Sequence, residues 1–286
     1  MVVDNLDDFY DPQLKRANLE AIKLAGEYEF YAVDIRDSSH LEDVFRKARP
    51  DAVVHLAARA GVRPSLLYPQ LYASVNIDGT LCLLELSRKY QVRQFVFGSS
   101  SSVYGQFNRV PFSEDDPISK PLSVYAATKA AGEMLAFTYS RLYQLPTICL
   151  RLFTVFGPRQ RPDLAIRRFA QLIQEGGELP VFGDGSMSRD YTYVTDVVAA
   201  IDRALACSYQ FEIFNIGNSH PVRLDYMIDT LEKALGKTAM RMYLPVGPAE
   251  MPLTFASLDK SRKLLGYSPK VSFEEGIRLF VEWFRG

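Results

Sequence analysis

The sequence has few cysteines, no basic excess and no long apolar run, and each absence excludes a class of protein. The 3 cysteines are far apart and lack CxxC spacing, so we expect small buried side chains rather than disulfides or a metal site. The 33 Lys and Arg residues against 34 Asp and Glu give a formal net charge of -1, which provides no basic surface for nucleic acid or for a membrane. No apolar stretch approaches the roughly 18 residues of a membrane span, and the opening residues are acidic, so we expect a cytoplasmic protein.

Short apolar runs alternate with amphipathic stretches of helical length through the first two-thirds of the chain. This alternation is typical of βαβ units and predicts an α/β fold with a parallel sheet covered on both faces. The predicted strands are residues 1–3, 30–35, 52–58, 94–100, 146–153 and 212–217. The predicted helices are residues 12–26, 39–47, 68–90, 124–143 and 164–175, and residues 176–190 are expected to be a turn-rich connection before a tail, residues 221–286, of two or three helices.

Two segments carry residues suited to acid–base chemistry. Tyr125 and Lys129, in YAATK, are spaced to lie on one helix face, where the ammonium group can lower the pKa of the phenol. A tyrosine titrates near 10, so a base useful at neutral pH needs a downward shift of roughly 3 units, about 4 kcal/mol. This spacing is also common on exposed helices. The serine-rich turn GSSSSVYG, residues 98–105, follows a predicted strand and favours the catalytic interpretation.

Together these segments resemble those of extended short-chain dehydrogenases/reductases, specifically sugar-nucleotide epimerases of the NAD-dependent epimerase/dehydratase family. Further similar elements follow in family order: DNLDDFYDP, DIRD, HLAA, VNIDGT, LRLFTVFGPRQRPD and SRDYTYVTDV. The resemblance implies a Rossmann-like doubly wound parallel sheet, formed by residues 1–153 and 186–216, and a smaller substrate lobe, formed by residues 154–185 and 217–286. It also implies a homodimer through the long helices 68–90 and 124–143.

The resemblance implies NAD as the cofactor. Asp4 matches the acidic residue that binds the adenosine ribose hydroxyls, which favours NAD over a phosphorylated ribose. His55, in contrast, is expected to be a packed strand residue. The implied cofactor-binding residues are Asp4, Asn5, Asp34, Ile35, Leu56, Ala57, Ala58, Asn76, Tyr125, Lys129 and Phe153.

The serine turn distinguishes among relatives with different reactions. Dehydratases of the family commonly carry Asp and Glu at the positions that Ser101 and Ser102 occupy here, and these carboxylates perform elimination. Their absence favours the hydride chemistry of a 4-epimerase, in which Tyr125 takes the O4 proton and Ser100 donates a hydrogen bond to O4. The implied catalytic residues are therefore Ser100, Tyr125 and Lys129. The implied substrate-binding residues are Ser101, Ser102, Thr154, Arg161, Phe182, Arg189 and Glu250.

The identity of the sugar depends on a few of these positions. Galactose-type epimerases carry an Arg and, three residues later, an Asp, where this chain has Gly247 and Glu250. The elements DNLDDFYDP and FTVFGPRQRPD resemble UDP-glucuronate 4-epimerases more closely, and Arg161 then pairs with the sugar carboxylate. Arg161 is otherwise a solvated loop charge. Archaeal-type UDP-glucose 4-epimerases share RQRPD, so UDP-glucose stays an alternative substrate.

The glycine-rich GxxGxxG turn that holds the cofactor diphosphate in such proteins does not precede Asp4. We therefore expect roughly one βα unit of the family fold to be missing. Either the sequence starts downstream of the natural start of an active epimerase, or the short form is a non-catalytic relative that binds a sugar nucleotide or a partner. The Ser100, Tyr125 and Lys129 set favours the first. A reductase on the same scaffold is a third, weaker interpretation.

Overall fold

A computed structural model describes residues 1–106, 109–246 and 251–286. This part of the chain folds into two compact units. The first unit comprises Met1–Ser99, Ser123–Cys149 and Ser208–Glu212, and the second comprises Ser100–Leu122, Leu150–Cys207 and Ile213–Gly286. These bounds differ from those of the predicted domains, whose division stays a prediction.

The strands are β1 (Val2–Val3), β2 (Phe30–Tyr31), β3 (Ala52–His55), β4 (Gln94–Ser100), β5 (Thr147–Leu152), β6 (Thr154–Phe156), β7 (Glu178–Phe182), β8 (Ser188–Tyr193), β9 (Phe211–Ile216), β10 (Pro221–Arg223), β11 (Met240–Leu244) and β12 (Leu253–Thr254). The α-helices are α1 (Pro12–Ala25), α2 (Ser38–Ala48), α3 (Val62–Leu67), α4 (Pro69–Ala73), α5 (Gly79–Lys89), α6 (Val124–Tyr143), α7 (Ala165–Glu175), α8 (Val194–Ala206), α9 (Leu224–Leu235) and α10 (Phe273–Arg285). Ser74–Asp78 and Ser261–Leu265 are π-helical, and Ser101–Tyr104 form a 3₁₀ turn.

One four-stranded sheet has the strand order β3-β4-β5-β9. In this sheet β3 runs parallel to β4, with His55 opposite Phe97. All residues of β4 are buried, as expected for a strand covered on both faces. A separate parallel pair joins β1 to β2. The predicted α/β fold with a parallel sheet is thereby confirmed.

Helix α6 is positioned by its start and by a glycine in its middle. Ser123 caps the helix, since its side chain accepts a hydrogen bond from the Ala126 amide. At Gly132, an added Cβ would lie 2.3 Å from Cζ of Phe97. Because Gly132 has no side chain, α6 can approach β4 closely, and this close packing sets the distance of Tyr125 and Lys129 from the strand.

Some predicted elements were wrong in detail. The predicted helix 68–90 is present as a continuous helical stretch from Pro69 to Lys89. Its middle segment, between α4 and α5, is π-helical, because the Gly79 amide donates to the Ser74 carbonyl five residues earlier. The predicted turn-rich stretch 176–190 contains β7 and the first half of β8. These strands pair with β11 and with β6, β10 and β12, which lie far away in sequence. Pairing with strands that are distant in sequence stabilises β7 and β8, although the glycines and the proline of this stretch do not predict strands.

The core of the second unit is formed by one apolar cluster. Helices α7, α9 and α10 contribute Phe169, Leu231 and Phe280, which are buried with Phe156 and Tyr191 of its strands. The tail from Pro221 contains α9, α10 and a π-helical turn, as predicted. Within the described residues, the helices are all too short or too polar to cross a membrane.

Candidate active site

The predicted catalytic pair lies in the first unit on successive turns of α6. Tyr125 is half-buried, and its ring meets Tyr72 edge to face at 6.4 Å between centroids. Lys129 is only 5% exposed. Its Nζ donates to the Gly98 carbonyl at 2.7 Å and lies 5.0 Å from the centre of the Phe97 ring. Strand β4 therefore holds the ammonium group through a carbonyl dipole and an aromatic face.

Burial sets the charge states around this pair. Desolvation lowers the pKa of Lys129 to about 8, because the charged form loses its hydration, while Glu133 acts in the opposite direction. Desolvation, followed by the charge of Lys129, lowers the pKa of His55 to about 3, so this imidazole is neutral. His55 Nε2 lies 2.9 Å from Thr80 Oγ1. The prediction that His55 is a packed strand residue is confirmed.

The predicted adenosine-ribose residues follow the two strands of the β1–β2 pair. Asp4 comes after β1, and its Oδ1 accepts the Leu6 amide at 2.7 Å. Asn5 Nδ2 donates to Asp34 Oδ2 at 2.9 Å, which joins the two strand ends. The Arg36 guanidinium forms a fork on Asp34 and holds the pKa of that carboxyl well below its usual range. These acidic side chains therefore cluster at the carboxyl ends of parallel strands, where doubly wound sheets bind ligands.

Other predicted cofactor residues differ in how far their polar groups are available. Leu56 and Ala57 are exposed and Ala58 is half-buried in the segment after β3. Asn76 is buried, and its amide is engaged by both backbone groups of Arg59 and by Thr128 Oγ1. Ile35 is buried and fills the space beside Gly79, and Phe153, in the second unit, is buried with its amide on the Ile216 carbonyl. Their roles toward NAD stay predictions.

The serine turn belongs to the second unit from Ser100 onward. Ser100 Oγ accepts the Ser102 amide at 3.2 Å and donates to Ser102 Oγ at 3.2 Å, which starts the 3₁₀ turn. The turn is anchored by Tyr104, whose hydroxyl donates to Asn215 Oδ1 at 2.6 Å and whose ring stacks on Phe112. Ser101 and Ser102 are half-buried.

The predicted substrate residues are spread over the second unit. Arg189 Nη1 donates to the Met251 carbonyl at 2.6 Å. Arg161 forms a fork on Asp163, with distances of 3.0 and 2.7 Å. Thr154 pairs in register with Tyr191, and Phe182 ends β7. Glu250, like Gly247, lies outside the described residues.

Sequence reasoning missed a buried carboxylate beside the catalytic pair. Glu133 is one turn beyond Lys129 on α6 and accepts a hydrogen bond from Ser99. The spacing Tyr125, Lys129, Glu133 repeats every four residues and could have indicated it. The anchor residue Asn215, far from the serine turn in sequence, carried no comparable signal.

Comparisons with known proteins identify the family to which this chain belongs. Residues 9–217 match the model of the NAD dependent epimerase/dehydratase family. A UDP-glucuronate 4-epimerase of Thermodesulfobacterium geofontis is 42% identical over 283 residues, which cover 98% of this chain and 87% of the relative. The fold matches a UDP-glucuronic acid 4-epimerase from Bacillus cereus, solved with UDP-glucuronic acid and NAD, at a TM-score of 0.92 and 35% identity, with 99% of this chain and 90% of that chain covered.

A UDP-glucose 4-epimerase from Thermotoga maritima, solved with UDP-glucose, is similarly close. Its TM-score is 0.90 at 35% identity, and the match covers 99% of this chain and 90% of that chain. Both the family match and these identities over nearly the whole chain exceed what a shared fold alone would give. The chain therefore belongs to the NAD dependent epimerase/dehydratase family and is an NAD-dependent isomerase.

Proposed function

We propose that this enzyme is a UDP-sugar 4-epimerase that interconverts UDP-glucuronate and UDP-galacturonate. The observation that carries the proposal is the pairing of Tyr125 with a buried Lys129, together with serines at 101 and 102, where elimination would need carboxylates. The relatives from Thermodesulfobacterium geofontis and Bacillus cereus, both named as epimerases of this substrate, support the choice of sugar.

The donor groups of the first unit fit the two riboses of NAD. Asp4 presents an exposed carboxylate, a suitable acceptor for vicinal hydroxyls, and Asn5 and Asp34 lie beside it. Lys129 and Tyr125 supply an ammonium and a phenol for the nicotinamide side. The 286 residues contain no GxxGxxG motif for the diphosphate. NAD bound there would supply the acceptor for the hydride at C4 of the sugar and the donor for its return to the opposite face.

Tyr125 acts as the base that takes the O4 proton and later returns it. The positive charge of Lys129 stabilises the phenolate, so that Tyr125 ionises closer to neutral pH than a free tyrosine. Ser100 donates a hydrogen bond to O4, which stabilises the oxygen as its charge changes. His55 of β3 is uncharged at neutral pH, so it adds no positive charge beside Lys129.

The remaining substrate residues bind the nucleotide and leave the sugar free to rotate. Phe182 stacks on the uracil, and Arg189 binds the diphosphate through its forked donors. Ser101, Ser102 and Thr154 offer hydroxyls to the sugar, and Glu250 binds the nucleotide side. Binding free energy concentrated on the nucleotide holds the substrate while its 4-keto sugar turns.

Arg161 binds the sugar carboxylate. Oxidation at C4 of a glucuronate produces a β-keto acid, which loses CO₂ readily if the carboxylate bond aligns with the carbonyl. A bidentate guanidinium holds the carboxylate out of this alignment. The fork that Arg161 forms on Asp163 has the geometry that a sugar carboxylate would use, so the substrate must displace Asp163.

A UDP-glucose/UDP-galactose 4-epimerase is the second candidate. The similarity to the Thermotoga maritima enzyme, at a TM-score of 0.90, favours it. UDP-glucose has no carboxylate on its sugar, so this second function needs no cation to bind one. Arg161 therefore separates the two substrates, because only UDP-glucuronate carries the group that would displace Asp163.

We also propose a homodimer formed through α5 and α6. Met134 and Phe137 of α6 are 57% and 49% exposed, and Leu81 of α5 is exposed as well. Apolar side chains on two neighbouring helices of one unit form a patch that a second copy would cover. A cytoplasmic location stays a prediction.

The proposal is tested by incubating the purified chain, and a form extended by any in-frame upstream coding sequence, with NAD⁺ and each UDP-sugar. Anion-exchange chromatography follows UDP-galacturonate formation from UDP-glucuronate and UDP-galactose formation from UDP-glucose. Turnover of UDP-glucuronate, at a higher kcat/KM than UDP-glucose, is the expected result. Turnover of UDP-glucose alone, or of neither sugar by either form, would overturn the assignment.

An arginine pair sharpens the assay. Arg223 forms the same fork on Asp225, two residues ahead, that Arg161 forms on Asp163. Arg161→Met is expected to raise the KM for UDP-glucuronate by at least about tenfold, the value of one charge-assisted hydrogen bond, and to leave UDP-glucose unaffected. Arg223→Met is expected to change neither. Equal effects of the two variants would remove Arg161 from the substrate site.

A further inference from the structure

A buried carboxylate on α6 continues the row formed by the catalytic pair. Tyr125, Lys129 and Glu133 are each four residues apart, so they project from one face of the helix on successive turns. Glu133 is only 3% exposed. A buried carboxylate costs free energy unless a charge or hydrogen bonds compensate it, so its position requires a compensating interaction inside the first unit.

The contacts of Glu133 mirror those of Lys129 on the same strand. Ser99 Oγ donates to Glu133 Oε1 at 2.5 Å, and Ser99 is itself buried. The preceding residue, Gly98, accepts the Lys129 ammonium through its carbonyl at 2.7 Å. Two consecutive residues of β4 therefore bind two successive turns of α6, one through a donor and one through an acceptor.

Glu133 is the negative group that opposes the loss of charge on Lys129. The direct contacts of Lys129 with the Gly98 carbonyl and the Phe97 ring supply dipoles rather than a full negative charge. Burial lowers the Lys129 pKa, and the charge of Glu133 raises it. A neutral Lys129 could not stabilise the Tyr125 phenolate, so the balance between burial and Glu133 determines whether the pair functions.

Neighbouring elements bring other titratable groups to this part of α6. The charge of Lys129 acts on His55 of β3, whose pKa of about 3 leaves it neutral at working pH. Tyr72 of α4 lies against Tyr125, and Asn76 bonds to Thr128 without carrying charge. Farther along the helix, Glu85 of α5 is engaged by Tyr139 and Arg88.

We propose that Glu133 is a positioning residue for Lys129: its carboxylate, anchored by Ser99, keeps the ammonium charged and aligned on the Gly98 carbonyl beside Tyr125. The proposal rests on the proposed function, in which Lys129 serves the catalytic tyrosine. It adds a requirement that the Tyr–Lys pair alone does not contain, namely a buried counter-charge on the following turn.

The test is the pH dependence of kcat in Glu133→Gln, whose amide keeps the shape of the side chain and can still accept the Ser99 hydrogen bond. Without the carboxylate, Lys129 loses its proton at lower pH, so the alkaline midpoint of the profile falls. Above that midpoint the rate drops by about tenfold for each unit of displacement. An unchanged midpoint in a folded Glu133→Gln overturns the proposal.

A second readout does not depend on turnover. With ε-¹³C-labelled lysine, the NMR resonance missing from Lys129→Met identifies Lys129, and its titration midpoint is compared between the wild type and Glu133→Gln. The midpoint is expected to fall in Glu133→Gln and to stay near the wild-type value in Glu133→Asp. Glu85→Gln is the matched control, because the Glu85 carboxylate on α5 also accepts a hydrogen bond from a hydroxyl on α6, that of Tyr139. This substitution is expected to leave the Lys129 midpoint unchanged.

If Glu133→Gln does not fold, Ser99→Ala decides. It leaves the carboxylate without its hydroxyl donor, and the Lys129 midpoint is expected to shift in the same direction by a smaller amount. No shift in Ser99→Ala then overturns the proposal. A shifted Lys129 midpoint in a protein that turns over neither UDP-sugar would instead sink the proposed function and leave the electrostatic role of Glu133 in place.

Discussion

The catalytic and adenosine regions of the first unit are built in contrasting ways. Helix α6 buries residues along its whole length, including Lys129, and packs on β4, whose residues are all buried. In α1, which the structure describes completely, no residue is buried, and its flanking strands β1 and β2 have two half-buried residues each. The groups proposed for proton transfer therefore lie on the most tightly packed elements, and the groups proposed for the ribose lie on the least packed.

Different interactions hold the two regions. Around β1 and β2 the contacts are ion pairs such as Arg59–Asp7 at 2.6 Å and Arg36–Asp34 at 2.7 Å, on partly exposed side chains. Such pairs contribute about 0–1 kcal/mol each, whereas buried apolar contacts of the β4–α6 pair contribute more. The β4–α6 pair is therefore expected to have the higher local stability and the adenosine region the lower.

The largest effect is expected from Tyr125→Phe. Loss of the base lowers kcat by about 10³-fold, within the range for a general base, and leaves the packing of α6 intact. Turnover is measured by UDP-sugar chromatography. Tyr72→Phe is the matched control, because it removes the neighbouring phenol that donates to the Ala60 carbonyl. That variant should lose stability but keep kcat, and comparable loss of turnover in both variants would contradict the assignment of the base.

The next effect concerns the exposed region. Asp4→Asn removes the charge that strengthens hydrogen bonds to ribose hydroxyls, so the Kd for NAD should rise by about tenfold or more. Isothermal titration of NAD measures it. Asp8→Asn, at an exposed aspartate nearby, should have no effect. Identical dissociation constants for these two variants would remove Asp4 from the cofactor site.

A glycine pair then compares packing in the two regions directly. At Gly132 a methyl group would meet the Phe97 ring at 2.3 Å, whereas at Gly26, at the end of α1, nothing lies within 4 Å. Overpacking typically costs about 1–3 kcal/mol, more than the roughly 1 kcal/mol that alanine gains inside a helix. Gly132→Ala should therefore lower the urea midpoint and Gly26→Ala should not. Equal midpoints would show that α6 does not depend on this close approach.

The smallest effect is a pH dependence of stability from His55. Its pKa is about 3 in the folded protein and near 6.5 when unfolded, so the unfolded state binds the proton first as the pH falls. Stability is fully present above pH 6.5 and should decrease by about 1 kcal/mol between pH 7 and 5.5. Urea unfolding at both pH values measures it. His55→Gln should lose this component, and the exposed His40→Gln should retain it; a flat wild-type profile would contradict the buried neutral state.

Local sequence patterns predicted the region around α6 better than the rest. Helix and strand periodicity are local. The four-residue spacing of Tyr125 and Lys129 therefore predicted one helix face, and the apolar run of β4 predicted a buried strand. Strands β7 and β8 could not be found this way, since they form through pairing with distant β10, β11 and β12. The position of Asn76 was found, but the engagement of its amide by Arg59 and Thr128 depends on tertiary packing.

The site was predicted least well where its residues act through one another. The four-residue spacing marks the position of Glu133, but its hydrogen bond with Ser99 and its place beside Lys129 depend on the packing of α6 on β4. Similarly, Arg161, which was predicted to bind the sugar carboxylate, already forms a fork on Asp163, and the substrate would have to displace that aspartate. Motifs indicated which residues are candidates for the chemistry, and packing determined the charge states of Lys129 and His55.

The most direct test of the account follows the hydrogen at C4. UDP-glucuronate deuterated at C4 is incubated with the enzyme and NAD⁺ in ordinary water, and the products are analysed by mass spectrometry while absorbance monitors NADH. Removal and return of the same hydride predicts UDP-galacturonate that retains deuterium at C4, with no net NADH. Deuterium absent from C4 of the product would contradict a 4-epimerase. A stoichiometric change in NADH would also contradict it and favour a reductase.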